Sequence, residues 1–147
     1  HAWVRPSRFI QVSGAGLQKL SDTFVEVAKE SFEDLTDDKI EKYKNAPFRA
    51  PLIVILVSSK KDHPKVPWIE QIISTGTAGQ NIMLALNALG YGAIWRTGRF
   101  AFNEKISERL GLNDDQTIIG YIYIGTPKGK KKSLPKMNTE EYISVWD

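Results

Sequence analysis

The stretch from Pro67 to Gly98 constrains the fold more than any other part of the chain. Between Trp68 and Leu89, apolar or small residues recur at intervals of three and four, the spacing of one helical face. Each glycine inside such a helix costs roughly 1 kcal/mol relative to alanine. The mid-helix small residues are Ser74, Gly76, Ala78 and Gly79. We therefore expect a buried central helix against which a neighbouring backbone or a flat ligand packs closely.

A strand follows this helix directly. Gly90, in the sequence Leu-Gly-Tyr-Gly, supplies the left-handed C-cap that ends a helix, and an alternating segment begins at Ala93. The strand ends at Trp95-Arg96-Thr97-Gly98, which offers a flat aromatic ring, a fixed cation, a hydroxyl and accessible backbone N–H groups. On composition alone, two interpretations of this strand end remain open. It is either a core tryptophan beside a surface arginine or a binding site.

The length and composition indicate one globular domain spanning residues 1–147. The chain is 41% hydrophobic and 25% charged, and no run approaches the roughly 20 apolar residues of a membrane span. It has no cysteine, which excludes disulfides, thiol catalysis and thiolate metal sites. Its two histidines, His1 and His63, do not have a metal-ligand spacing, so we expect no metal site.

The remaining segments predict strands with helices on both sides. A continuous β-branched run at residues 52–57 is typical of a strand covered on both faces, at the centre of a sheet. A short strand is predicted at 8–12 and a long one at 116–125, and helices are predicted at 17–32 and 36–44. The connections lack a regular β-α-β-α rhythm. We therefore expect a mixed, mainly antiparallel central sheet flanked by helices rather than a doubly wound one.

Familiar catalytic motifs are missing from the chain. It contains no GxSxG, no P-loop and no GxGxxG after a strand, so an enzyme with this sequence would need a cofactor to carry the reaction. The lysine block from Lys128 to Lys136 is not interleaved with aromatic residues, which favours a solvated loop over a nucleic-acid site. The apolar tail from Tyr142 to Trp146 favours packing across a partner subunit.

Five motifs in order carry a resemblance to a known family. They are HAWVRPSRFIQV at 1–12, NAPFRAP at 45–51, KVPWIEQ at 65–71, GYGAIWRTG at 90–98 and GYIYIGTP at 120–127. Together they resemble the short nitroreductases of the YdjA type. The resemblance implies an α+β three-layer fold, a homodimer with FMN at the subunit interface, and oxidation of NAD(P)H.

The resemblance also implies site residues. The FMN contacts of the family fall on His1, Trp95, Arg96 and Thr97, and the flavin rather than any side chain carries the chemistry. A nicotinamide contact falls on the end of the long helix, at Ala85, Leu86, Asn87, Ala88, Leu89 and Gly90. The family begins with an Arg-Arg-Ser segment on a helix that holds the FMN phosphate, and we expect this chain to lack that N-terminal helix.

The function implied is a two-step, ping-pong exchange in the cytoplasm. Hydride passes from NAD(P)H to flavin N5, and an electron-poor small molecule such as a nitroaromatic or a quinone then receives the reducing equivalents. Neither a nucleic acid nor a membrane is an expected partner. A non-catalytic, flavin-binding dimeric module is the alternative, because the chain shows no evident acid or base.

Overall fold

The computed structural model describes residues 2–129 and 133–146. They form one four-stranded sheet with helices on both faces. The strands are β1 (Ser7–Ser13), β2 (Leu52–Ser59), β3 (Gly92–Arg96) and β4 (Gln116–Gly125). The helices are α1 (Ala15–Ser31), α2 (Asp37–Asn45), α3 (Trp68–Ala88) and α4 (Glu104–Arg109). Short 3-10 turns lie at Pro47–Arg49, Arg99–Phe102 and Thr139–Tyr142.

The sheet order is β1-β2-β4-β3, and all three pairings are antiparallel. The β-branched strand β2 lies inside the sheet, between β1 and β4, as its continuous apolar run predicts. The predicted mainly antiparallel, α+β arrangement is confirmed. The parallel pair that a mixed sheet allows does not occur among the described strands.

One face of the sheet carries α1, α2 and α4 over an aromatic core. The rings of Phe24 and Phe100 are stacked with centroids 4.2 Å apart, and Tyr121 meets Phe24 edge-on. Thr36 caps α2 by accepting a hydrogen bond from the backbone N–H of Lys39. This aromatic core holds α1 and α2 beside the β3 end of the sheet.

The other face carries α3, and here the prediction of a buried helix is wrong. Within α3 only Gln71, Thr75 and Gly79 are buried, whereas Ile69 and Ile73 are 60% and 59% exposed. The apolar residues of α3 extend around more of the helix than the strip that one sheet can cover. Close packing does occur at Gly79, but the neighbours are the side chains of Trp95 and Leu56 rather than the expected backbone or flat ligand.

One end of the sheet gathers the ends of β1, β2 and β4, whereas β3 stops midway along β4. Ser7 at the start of β1 pairs with Ser58, Ser59 at the end of β2 pairs with Gln116, and Arg96 at the end of β3 pairs with Tyr121. The segments that enter or leave β1, β2 and β4 here are therefore neighbours, and the chain leaves β3 opposite the middle of β4. No helix in the described ranges is long and apolar enough to cross a membrane.

Candidate functional site

The pleat of β3 sends neighbouring side chains to opposite faces of the sheet. Trp95 packs under α3 with Leu56 and Ile122. Arg96 lies on the α1 side, where its guanidinium carbon is 5.9 Å from the centroid of the Tyr123 ring. The strand end predicted as a site is therefore divided between a packed aromatic and an exposed cation.

Two adjoining cavities lie on the α1 side of β3, and we call them together the β3 cleft. The first has a volume of about 330 Å³ and includes Thr97 and Gly98. The second has a volume of about 710 Å³ and continues past Ile94 to Lys128. Both are lined by Arg49, Arg96 and Tyr123. The first also contains the basic and aromatic side chains of Phe24, Lys42, Tyr43, Arg99, Phe100 and Tyr121.

The cations of the β3 cleft differ in how far they are already neutralised. The Arg99 guanidinium donates to Asp34 Oδ1 at 2.7 Å and lies 3.7 Å from the centroid of the Phe32 ring. The hydrogen bond from Lys39, followed by that from Arg99, holds the pKa of the Asp34 carboxyl well below its usual range. Arg49 and Arg96 form no ion pair within the described residues. Their positive charge remains available to an anionic or acceptor-rich ligand.

Two tyrosines form a neutral floor for the cleft. Burial raises the pKa of Tyr121, whose hydroxyl donates a hydrogen bond to the Phe100 carbonyl at 3.2 Å. Burial also raises the pKa of Tyr123, although Arg49 and Arg96 act in the opposite direction. Both phenols therefore stay protonated near neutral pH. The cleft combines flat, uncharged rings with fixed positive charge above them.

The structure brings together only part of the predicted site. Arg96 and Thr97 line the cleft, but the Trp95 indole faces Gly79 and Gly120 on the other side of the sheet. The segment from Ala85 to Gly90 adjoins the start of β3, away from Arg96, and does not line the cleft. His1 lies outside the described residues. The roles of these residues toward a ligand stay predictions.

Sequence reasoning missed Arg49 as a candidate. It ends the 3-10 turn Pro47–Arg49, whose proline starts the turn and is itself buried. That turn places Arg49 in the lining of both cavities, which Arg96 also lines. The only signal was its position in the motif NAPFRAP, and a motif position does not show which sheet face the side chain meets.

A second missed feature is the backbone before β1. Ala2, Trp3 and Arg5 have φ angles of 45°, 57° and 49°, in the left-handed region that non-glycine residues rarely adopt. Arg5 stacks over the Trp3 ring at 5.3 Å. Strain of this kind costs about 1–3 kcal/mol per residue and concentrates at functional sites. None of the three residue types predicts this conformation from sequence.

Comparison with protein families and curated proteins gives consistent matches. A model described as Nitroreductase family matches residues 1–126. The chain is 35% identical over 130 residues to the Escherichia coli (strain K12) protein named as an NAD(P)H nitroreductase, YdjA, covering 88% of this chain and 70% of that one. It is 29% identical over 148 residues to a Haemophilus influenzae protein named as an NAD(P)H nitroreductase, covering 98% and 78%.

Solved structures share the fold at lower identity. A nitroreductase-like family protein from Bacillus cereus superposes with a TM-score of 0.79 at 19% identity, covering 99% of this chain and 75% of that one. The FMN and NADPH-dependent nitroreductase NfnB from Sphigopyxis sp. strain HMH gives a TM-score of 0.77 at 18% identity, covering 100% and 82%. At these identities the similarity is one of fold.

Proposed function

Because the chain belongs to the nitroreductase family, we propose that it is an FMN-dependent oxidoreductase. It takes reducing equivalents from NAD(P)H and delivers them, by ping-pong hydride transfer, to electron-poor acceptors such as nitroaromatics or quinones. The names of its relatives support the NAD(P)H and FMN parts of this proposal. The proposed unit is one domain, residues 1–147, working in the cytoplasm.

The residues of the β3 cleft fit FMN. A flavin has a flat ring system, a pyrimidine edge rich in hydrogen-bond acceptors, and an anionic phosphate. The cleft offers neutral aromatic side chains, the guanidinium groups of Arg49 and Arg96, and space of the size that ligand sites have. The observation that carries the proposal is this pair of arginines, unpaired within the described residues, above Tyr123.

The protein mainly binds and orients. When bound, FMN supplies the hydride-accepting and hydride-donating chemistry. The backbone N–H groups at Arg96 and Thr97, at the end of β3, are the donors we assign to the flavin ring. Arg49 provides a fixed positive charge beside them, which favours a negatively charged reduced cofactor. Trp95 reaches the flavin only through its backbone, and His1 adds a polar contact.

The second substrate and the assembly complete the proposal. NAD(P)H contacts Ala85–Gly90, where the helix end is exposed except at Leu86. Two chains form a homodimer with FMN at their interface. The exposed tail side chains Tyr142, Ile143, Val145 and Trp146 support a dimer, as do Ile69 and Ile73 on the outer side of α3. Because α3 and the β3 cleft lie on opposite faces of the sheet, the partner subunit must also reach around the β3 edge for FMN to lie at the interface.

The decisive experiment uses the purified protein reconstituted with FMN and desalted. We expect flavin absorbance that bleaches anaerobically with NADPH or NADH and recovers when a nitroarene or a quinone is added. Retained flavin that does not bleach would leave only the non-catalytic flavin-binding module, which the lack of an acidic or imidazole side chain in the described cleft lining favours. A colourless protein would reject both.

A further inference from the structure

Trp95 is wedged between two glycines that have no room for a side chain. A Cβ on Gly79 of α3 would lie 2.6 Å from Trp95 Cζ3 and 2.5 Å from Leu56 Cδ1. A Cβ on Gly120 of β4 would lie 2.7 Å from Trp95 Cε2 and 2.8 Å from Cδ1, and would also collide with Nε1. Real Cβ atoms essentially never approach this closely, so the helix and the strand accept the indole only because both residues are glycine.

The sheet itself is adapted at this point. The register between β2 and β4 shifts between Leu56 and Val57, so that Leu56 pairs with Gly120 and Val57 pairs with Ile118. A bulge of this kind bends the strand and redirects its side chains. The irregularity lies beside the glycine that receives the indole. Helix, sheet and bulge thus converge on one side chain, next to the strand end that lines the β3 cleft.

We propose that Trp95 is a positioning residue, whose indole, held between Gly79 and Gly120, fixes the end of β3 so that Arg96 and Thr97 face the cleft. The proposal rests on the proposed function insofar as FMN is the ligand of the cleft. The indole is on the opposite face of the sheet from Arg96 and from the cleft lining. Its effect on a ligand therefore passes through the β3 backbone and not through ring contact.

The test compares four substitutions in the full chain. Trp95→Leu removes the wedge, Trp95→Phe keeps a flat ring, and Gly120→Ala forces the wedge outward. Gly76→Ala is the matched control, because a Cβ there meets Trp95 only at an ordinary 4.0 Å. Two quantities are measured: amide hydrogen exchange at residues 96–98 without ligand, and the Kd for FMN by titration.

We expect Trp95→Leu and Gly120→Ala each to speed exchange at residues 96–98 and to raise the FMN Kd by roughly tenfold, because a site is only as well placed as its supporting residues. Trp95→Phe should have smaller effects on the exchange rate and on the FMN Kd than Trp95→Leu, and Gly76→Ala should change neither quantity. In the Trp95→Leu background, Gly120→Ala should add little, since its collision partner is gone.

Three outcomes would overturn the proposal. Unchanged exchange and Kd in Trp95→Leu would show that the wedge positions nothing. A raised Kd with unchanged exchange would show that the indole meets the ligand itself. Equal effects of Gly76→Ala and Gly120→Ala would show that the substitutions act through general helix or sheet stability and not through the position of Trp95. If Gly120→Ala does not fold, the two Trp95 variants decide, and if the wild type binds no FMN, the exchange measurement still decides while the proposed function fails.

Discussion

The guanidinium carbon of Arg96 lies 5.9 Å from the centroid of the Tyr123 ring, on the face of the sheet opposite the indole of Trp95. Two adjacent residues of β3 therefore have different tasks. Trp95 is committed to packing against α3 and β4, and Arg96 is left facing the cleft.

Replacing Arg49 or Arg96 with alanine should weaken FMN binding. A hydrogen bond to a charged group contributes about 1.5–3 kcal/mol, so each substitution should raise the Kd roughly 10- to 100-fold. Lys29→Ala is the control, since it removes the same charge from an exposed position on α1. Fluorescence titration measures the Kd. An unchanged value for Arg96→Ala would reject the contact assigned to its guanidinium group, since alanine keeps the backbone N–H.

Placing a charge on the exposed side of α3 should separate the proposed dimer. Ile73→Glu puts a carboxylate where an apolar interface would bury it, so the dissociation constant of the dimer should rise by roughly tenfold or more. Phe102→Glu introduces the same charge at an exposed apolar residue outside α3 and should leave the dimer intact. Sedimentation velocity reports both. A wild type that sediments as a single subunit would contradict the dimer.

Asp34 should make stability depend on acid pH. Its folded pKa is lowered by Lys39 and Arg99, so below about pH 4, the ordinary range of aspartate, the unfolded chain binds more protons than the folded one. The stabilisation is therefore present above this range and is lost as the pH falls toward the folded pKa. Asp34→Asn should lower the urea midpoint at pH 7. In strong acid the midpoints of the wild type and the variant should become equal.

The control for this prediction is Asp22→Asn. Asp22 accepts a hydrogen bond from Gln18 and has no basic partner within the described residues. Urea unfolding of the wild type and both variants at neutral and acid pH measures the effect. A constant difference between the wild type and Asp34→Asn at every pH would show that the ion pairs of Asp34 contribute nothing to the pH dependence.

Gln71 should hold the loop between β2 and α3 in place. Its side chain is buried, donates to the carbonyls of Lys61 and Val66 at 2.9 and 3.1 Å, and accepts from the Lys61 N–H at 3.0 Å. Each hydrogen bond contributes about 1 kcal/mol net. Gln71→Ala should speed tryptic cleavage at the loop lysines, whereas Gln80→Ala, on the exposed side of α3, should not. Equal cleavage in both would show that the loop is held by other contacts.

Much of the fold was predictable because local patterns settle it. The β-branched run of β2 needed burial on both faces, and the Thr36 cap fixed the start of α2. The exposure of α3 was not predictable, since its apolar periodicity does not tell whether a sheet or a second chain covers the outer side of the helix. The positions of Ile69 and Ile73 depend on that difference.

The sequence could indicate site residues that are adjacent in the chain, but not those that tertiary packing brings together. Arg96 and Thr97 end a recognisable strand, and the family resemblance assigned them to FMN; they line the cleft, while their contact with FMN stays a prediction. Arg49 was missed because it reaches the cleft from a turn that is remote in sequence, and only tertiary packing brings it to the cavities that Arg96 and Tyr123 also line. Trp95 was assigned to the flavin, but the pleat sends its ring to the other face.

The two edge strands of the sheet differ in how well they are protected against pairing with another chain. Among the described strands, β1 and β3 each pair on one side only. The five-residue β3 ends in a charged arginine, and Pro127 crowds its first residue, Gly92. The seven-residue β1 also carries an exposed charge, at Arg8, but next to it half of the Phe9 side chain is exposed. In concentrated solution, strand-to-strand aggregation would start from β1, and a lysine in place of Phe9 is the change that would keep such a preparation clear.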